Sequence, residues 1–210
     1  MYNKELRHQT GEGIAEHTSA DQPRGLRRWA DALKHRWPTA LGIAIAVLTF
    51  FDGEITAEFI STLSAIIFMM ALIYVGAATL EQRQAAWIIF LAGFVALFVG
   101  RLLDWNIGTS LVFLVAALIF LILGVARGQL RKGGDLPLQA IGMLGFGALG
   151  LLVLFVDPTL GGYLVAAALL GHAAWDAFHF RLNRVVPRSY AEFCGVLDLV
   201  LGVAILLMMR

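Results

Sequence analysis

Charge is what this sequence has least of. Asp, Glu, Lys and Arg make up 15% of its 210 residues, against about 25% in an ordinary soluble domain. The hydrophobic share is 59% and the mean hydropathy is +0.77, more apolar surface than a water-soluble globule of this length can hide. A single cysteine, Cys194, excludes an intrachain disulfide and any all-cysteine metal site. A net charge of +1 excludes the basic stripe that nucleic-acid binding needs, so no nucleic-acid partner is expected. The only lysines are Lys4, Lys34 and Lys132, all outside the apolar runs, which excludes a retinal-type Schiff base within a membrane. Phosphate loops, Gly-x-Ser-x-Gly elbows and His-Glu-x-x-His helices are also missing. The first 36 residues hold no short apolar segment with a small-residue cleavage site, so no cleaved signal peptide is expected. These exclusions leave an integral membrane protein.

From Pro38 onward, apolar runs alternate with short polar breaks. Seven spans are expected, at 38–51, 56–78, 85–103, 108–126, 138–156, 160–180 and 190–209. A helix needs about 20 apolar residues to cross the hydrocarbon core; the first run is short unless Arg36 snorkels. Barrel strands would be shorter and would alternate, so the expected fold is all-α, a polytopic bundle of seven transmembrane helices. Fourteen of the sixteen basic residues fall on one side of this layout: seven before the first span, then Arg83, then Arg127, Arg131 and Lys132, then Arg181, Arg184 and Arg188. The positive-inside rule therefore puts the N-terminus in the cytoplasm and the C-terminus outside, in the inner membrane of a bacterial host. Trp37, Trp87 and Tyr190 fall near the inner boundary and Trp105 and Tyr163 near the outer one, as aromatic belts would.

Three parts follow: a disordered cytoplasmic tail at 1–20, an interfacial helix at 21–37, and the seven-helix domain at 38–210. In the second part Leu26, Trp29, Leu33 and Trp37 recur at helical spacing among Arg24, Arg27, Arg28, Lys34 and Arg36. That pattern suits a helix lying on anionic lipid head groups.

Three aspartates, Asp52, Asp104 and Asp157, recur at intervals of 52 and 53 residues, each followed by two residues, Ile or Leu, three residues and an apolar pair. Each falls at the outer turn of a helical hairpin, so spans 1–2, 3–4 and 5–6 read as three copies of one unit with span 7 added. The carboxylates suit either N-caps of the following helices or an outer ring. With the basic stretch Leu33-Lys34-His35-Arg36 before the first span and the Gly-rich apolar helices, this layout resembles the HdeD-type membrane proteins over about residues 33–180. The resemblance implies a multi-pass protein built from short hairpin repeats, in a family associated with acid resistance, and it brings no catalytic residues. The added span 7 and the polar third hairpin depart from that family.

The polar third hairpin is the sharpest local signal. It reads Gly171-His172-Ala-Ala-Trp175-Asp176-Ala-Phe-His179. In the repeat alignment His172 falls at Ile67 and Ile119, Asp176 at Ala71 and Leu123, and His179 at Tyr74 and Ala126. The repeat scaffold therefore does not require these side chains. At 100° per residue His172, Asp176 and His179 share one helix face, which Asn183 would join if the helix continued. Span 7 returns antiparallel with a small face of Ala191, Cys194, Gly195, Asp198 and Gly202. Counting 1.5 Å per residue from the inner ends, His172 is level with Asp198, Asp176 with Cys194, and His179 with Glu192. A His172–Asp198 contact is expected if those faces meet.

Ionisable groups inside a bilayer are costly and mark function by default, though a His–Asp pair can also simply lock two helices. The leading reading is a non-enzymatic, pH-responsive or transport-type site binding a proton, ion or small ligand at His172, Asp176, His179 and Asp198. The alternatives are a metal-dependent intramembrane hydrolase with His172, Asp176 and Asp198 on a metal such as zinc, and a structural subunit of a homo-oligomer or larger membrane complex. Haem is discounted because both intramembrane histidines lie on one span. Cys194, Glu192, Arg101 and Asp104 are secondary candidates, with Arg101 and Asp104 expected to pair as i, i+3 neighbours.

Overall fold

The computed structural model describes residues 36–50, 55–131 and 133–210, and the chain divides into two units, Met1–Trp37 and Pro38–Arg210. The expected tail, all but the last two residues of the expected interfacial helix, Asp52 and Lys132 lie outside the described residues. The second unit carries everything below.

It is all-α, with seven helices and no strand among the described residues. They are α1 (Trp37–Thr49), α2 (Ala57–Leu80), α3 (Ala85–Leu102), α4 (Asn106–Ala126), α5 (Leu136–Val153), α6 (Pro158–Leu182) and α7 (Arg188–Met208). Each matches an apolar run of the sequence within a few residues. The reason is local: a helix satisfies its own backbone N–H and C=O groups, which an apolar surrounding would leave unpaired. The stops are local too. Glu81 and Asn183 adopt left-handed conformations (φ 54° and 49°) that close α2 and α6, and proline opens α5 and α6.

Five of the helices, α2, α3, α4, α5 and α7, are long and apolar enough to cross a membrane. The first helix has only 13 residues, and α6, though 25 residues long, is interrupted by its polar side chains. α2 sits at the centre, buried along nearly its whole length, with α3, α4, α5 and α6 against it. α6 and α7 form the most extensive helix pair. The outward faces are oily: Ile88, Phe98, Ile122, Ile141 and Leu207 are each 60% or more exposed. Water does not tolerate an apolar surface of that extent on a monomer, and lipid does.

Three expectations are corrected here. Asp104 does not cap α4. It takes the left-handed conformation (φ 51°) that ends α3, with its N–H donating to Arg101 O and the Trp105 N–H to Gly100 O. A three-residue connection leaves no room for a separate stop and start, so the stop claims the residue. Arg101 does not pair with Asp104 either. Its guanidinium is 3.8 Å from Glu58 on α2, because the turn carries Asp104 out of the i, i+3 helical register. Tyr190 is not a belt residue but is fully buried among Tyr74, Trp87, Phe90 and Phe193.

Asp157 does cap its helix, accepting from the N–H groups of Thr159 and Leu160 at 3.0 and 3.1 Å, and Thr56 caps α2 through Phe59 N–H at 3.1 Å. The two repeat aspartates thus predict different outcomes. Asp157→Ala is expected to lower stability by about 1 kcal/mol. Asp104→Gly is expected to cost nothing or to stabilise, since glycine takes the left-handed conformation without strain. Thermal unfolding in detergent checks both.

Candidate functional site

The close approach of α6 and α7 builds the site. Gly195 makes it possible: a Cβ there would lie 3.2 Å from Asp176 Cβ and 3.7 Å from Ala173 O. The small face expected on span 7 therefore does meet the polar face of α6. Across that seam His172 Nδ1 lies 2.8 Å from Asp198 Oδ2 and 3.2 Å from Asp176 Oδ2. The ligand atoms of His172, Asp176 and Asp198 all fall within 4.8 Å of one another, and all three residues are buried. The expected His172–Asp198 contact is present, and Asp176 joins it from one turn further along α6 because i, i+4 residues share a face.

The central helix adds a residue that sequence reasoning passed over. Tyr74 on α2 donates its hydroxyl hydrogen to Asp176 Oδ1. The Tyr74 ring also packs edge-on against His172 and His179, with centroids 5.5 and 4.8 Å away. Asp176 is thereby hydrogen-bonded through one oxygen, while its other oxygen, Oδ2, is completely buried and, among the described residues, makes only the 3.2 Å contact with His172 Nδ1.

His179 stands apart from the cluster. Its Nδ1 donates to Trp175 O at 2.9 Å, so Nε2 accepts from the Gln139 side-chain amide at 3.0 Å. Gln139, on α5, is the second residue missed, and its Oε1 is buried without a partner. The available signals were a lone amide in an otherwise apolar helix and a lone tyrosine hydroxyl in another. Tyr74, Gln139, His172 and Trp175 line a small void with room for about one water molecule. One turn before Gln139, Asp135 forms a 2.9 Å ion pair with Arg184 at the rim of a cavity of about 360 Å³, lined also by Glu81, Arg83 and Asn183.

The other candidates fall elsewhere. Glu192 accepts from Thr39 Oγ1 of α1 at 2.5 Å and ties α1 to α7. Cys194 is buried on α7, one turn before Asp198, outside the three converging ligands. Arg101 and Asp104 lie at the far end of α3, exposed. Asn183 caps α6, and its carbonyl accepts from Arg83 at 2.8 Å.

Chemically the group is one imidazole facing two carboxylates in an apolar surrounding. It can hold a cation, whether a proton or a metal ion. Comparison with family models, with curated proteins and with solved structures found no match to this chain.

Proposed function

We propose that this chain is a non-enzymatic membrane protein whose buried group between α6 and α7 binds a cation. The observation that carries the reading is the convergence of His172 Nδ1, Asp176 Oδ2 and Asp198 Oδ2 from two helices, with their side chains 3% exposed or less. Burial of three ionisable side chains costs several kcal/mol that apolar packing would avoid. The void beside His172 has room for a water rather than an organic substrate, which favours ion binding over hydrolysis.

The same reading takes all seven helices as membrane spans. α6 is about 37 Å long at 1.5 Å per residue, enough to cross, and turns its polar residues inward. α1, with 13 residues, is only about 20 Å long by the same rise, so its crossing needs Arg36 to snorkel and the bilayer to thin beside it. The loops rich in arginine face the cytoplasm of a bacterial inner membrane, with the C-terminus outside. Kinship with HdeD-type proteins, through three repeated hairpins, belongs to this reading and rests on the layout of the sequence.

The test is thermal unfolding of the full chain in neutral detergent, from pH 5 to 8 and with added divalent cation. The wild-type midpoint is expected to move by several degrees with one or both. Asp198→Asn is expected to flatten that response. A folded wild type indifferent to both would make the group a structural clasp, as in a subunit of a larger complex.

A further inference from the structure

Charge balance narrows the choice of cation. Two carboxylates and a neutral imidazole carry −2 together. A single added proton leaves −1 sealed between apolar helices, and so does a monovalent metal ion. A divalent ion leaves zero, and so do two protons, one on the imidazole and one on a carboxylate; an apolar interior tolerates either neutral arrangement better than a net charge, and the donor set separates them.

The donor geometry agrees. Bonds of about 2.0–2.2 Å to nitrogen and oxygen put neighbouring ligand atoms about 3.0–3.5 Å apart around one ion. His172 Nδ1 lies 2.8 Å from Asp198 Oδ2, now a hydrogen bond, and 3.2 Å from Asp176 Oδ2, and the three ligand atoms all lie within 4.8 Å of one another, so an ion that replaces the Nδ1 proton needs only shifts of about an ångström to reach all three. Asp176 Oδ2 is the second sign of a ligand: it is buried, and among the described residues its one polar contact is with His172 Nδ1 at 3.2 Å, whose single proton is already directed to Asp198 Oδ2 at 2.8 Å, so the oxygen has room for a further partner. Tyr74 donates to the other oxygen of that carboxylate, the outer-layer contact that orients metal-bound carboxylates. One imidazole with two carboxylates suits a first-row transition ion better than calcium or magnesium, which take oxygen alone.

We infer that His172, Asp176 and Asp198 form an intramembrane site for one divalent first-row transition metal ion of the zinc class, with Tyr74 as its positioning residue. The inference rests on the cation-binding reading above and names the cation.

The experiment uses the untagged full chain, purified without chelator, then stripped and titrated with Zn2+ alone. The expected result is about one metal ion per chain as purified and Zn2+ rebinding that raises the melting midpoint. Asp198→Asn is expected to weaken Zn2+ binding at least 100-fold and Tyr74→Phe about 10-fold. Folded wild type that carries no metal and neither binds nor is stabilised by Zn2+ overturns the inference. If its melting still responds to pH through Asp198, the cation-binding reading stands and only the metal falls; if it does not, both fall. Zn2+ binding that survives Asp198→Asn places the metal elsewhere and overturns the site. Should the variants fail to fold, the X-ray absorption spectrum of the Zn2+-loaded wild type decides. One imidazole with oxygen donors supports the site, and two or more imidazoles, or sulfur, overturn it.

Discussion

His172→Ala is expected to lower the unfolding free energy by about 3–5 kcal/mol, the cost of breaking a buried ion pair by removing one partner. The side chain sits between two carboxylates and, among the described residues, is the one base that contacts both. Without it Asp176 and Asp198 confront each other across the α6–α7 seam, both buried. Solvent does not reach them, and Tyr74 satisfies only one of the four carboxylate oxygens. The loss should therefore come mainly from uncompensated charge, and only in part from the cavity left by the imidazole. A second set of substitutions separates the two. Adding Asp176→Asn and Asp198→Asn to His172→Ala removes the charges and leaves the cavity. That triple variant should recover more than half of the loss, measured by chemical unfolding in detergent at one ionic strength. A triple variant as unstable as the single one would assign the cost to packing.

Gly195→Leu is expected to be the next most damaging, and by a different route. Its first side-chain atom would already sit 3.2 Å from Asp176 Cβ, and three more carbons must then enter the seam. Overpacking of this kind costs about 1–3 kcal/mol. It also forces α6 and α7 apart at the level of the cluster, so the His172–Asp198 contact should open and cation binding should fail together with stability. Gly195→Ala, needing only a few tenths of an ångström, should be mild. Gly145→Leu is the control: among the described residues nothing lies within 4 Å of a Cβ at Gly145, and that position is exposed, so the midpoint should move little. Melting curves with and without Zn2+ distinguish lost packing from a lost site.

Much of this protein is written along the chain. Helix positions followed from apolar run length, because each helix closes its own hydrogen bonds and needs nothing distant to do so. The His172–Asp198 contact was legible for a related reason. A helical rise is fixed, and a short connection makes α6 and α7 antiparallel neighbours, so depth can be counted from their common end. What counting along one element cannot supply is rotation about its axis, or the identity of neighbours from elsewhere in the bundle. Tyr74 and Gln139 reach the site from α2 and α5, 102 and 40 residues from their partners, and no local pattern fixes that approach. Nor did spacing tell that Arg101 would turn to Glu58, that Glu192 would hold α1, or that Tyr190 would sit in an aromatic interior. Periodicity set where the polar residues stand on each helix. Packing around the central α2 decided which of them meet.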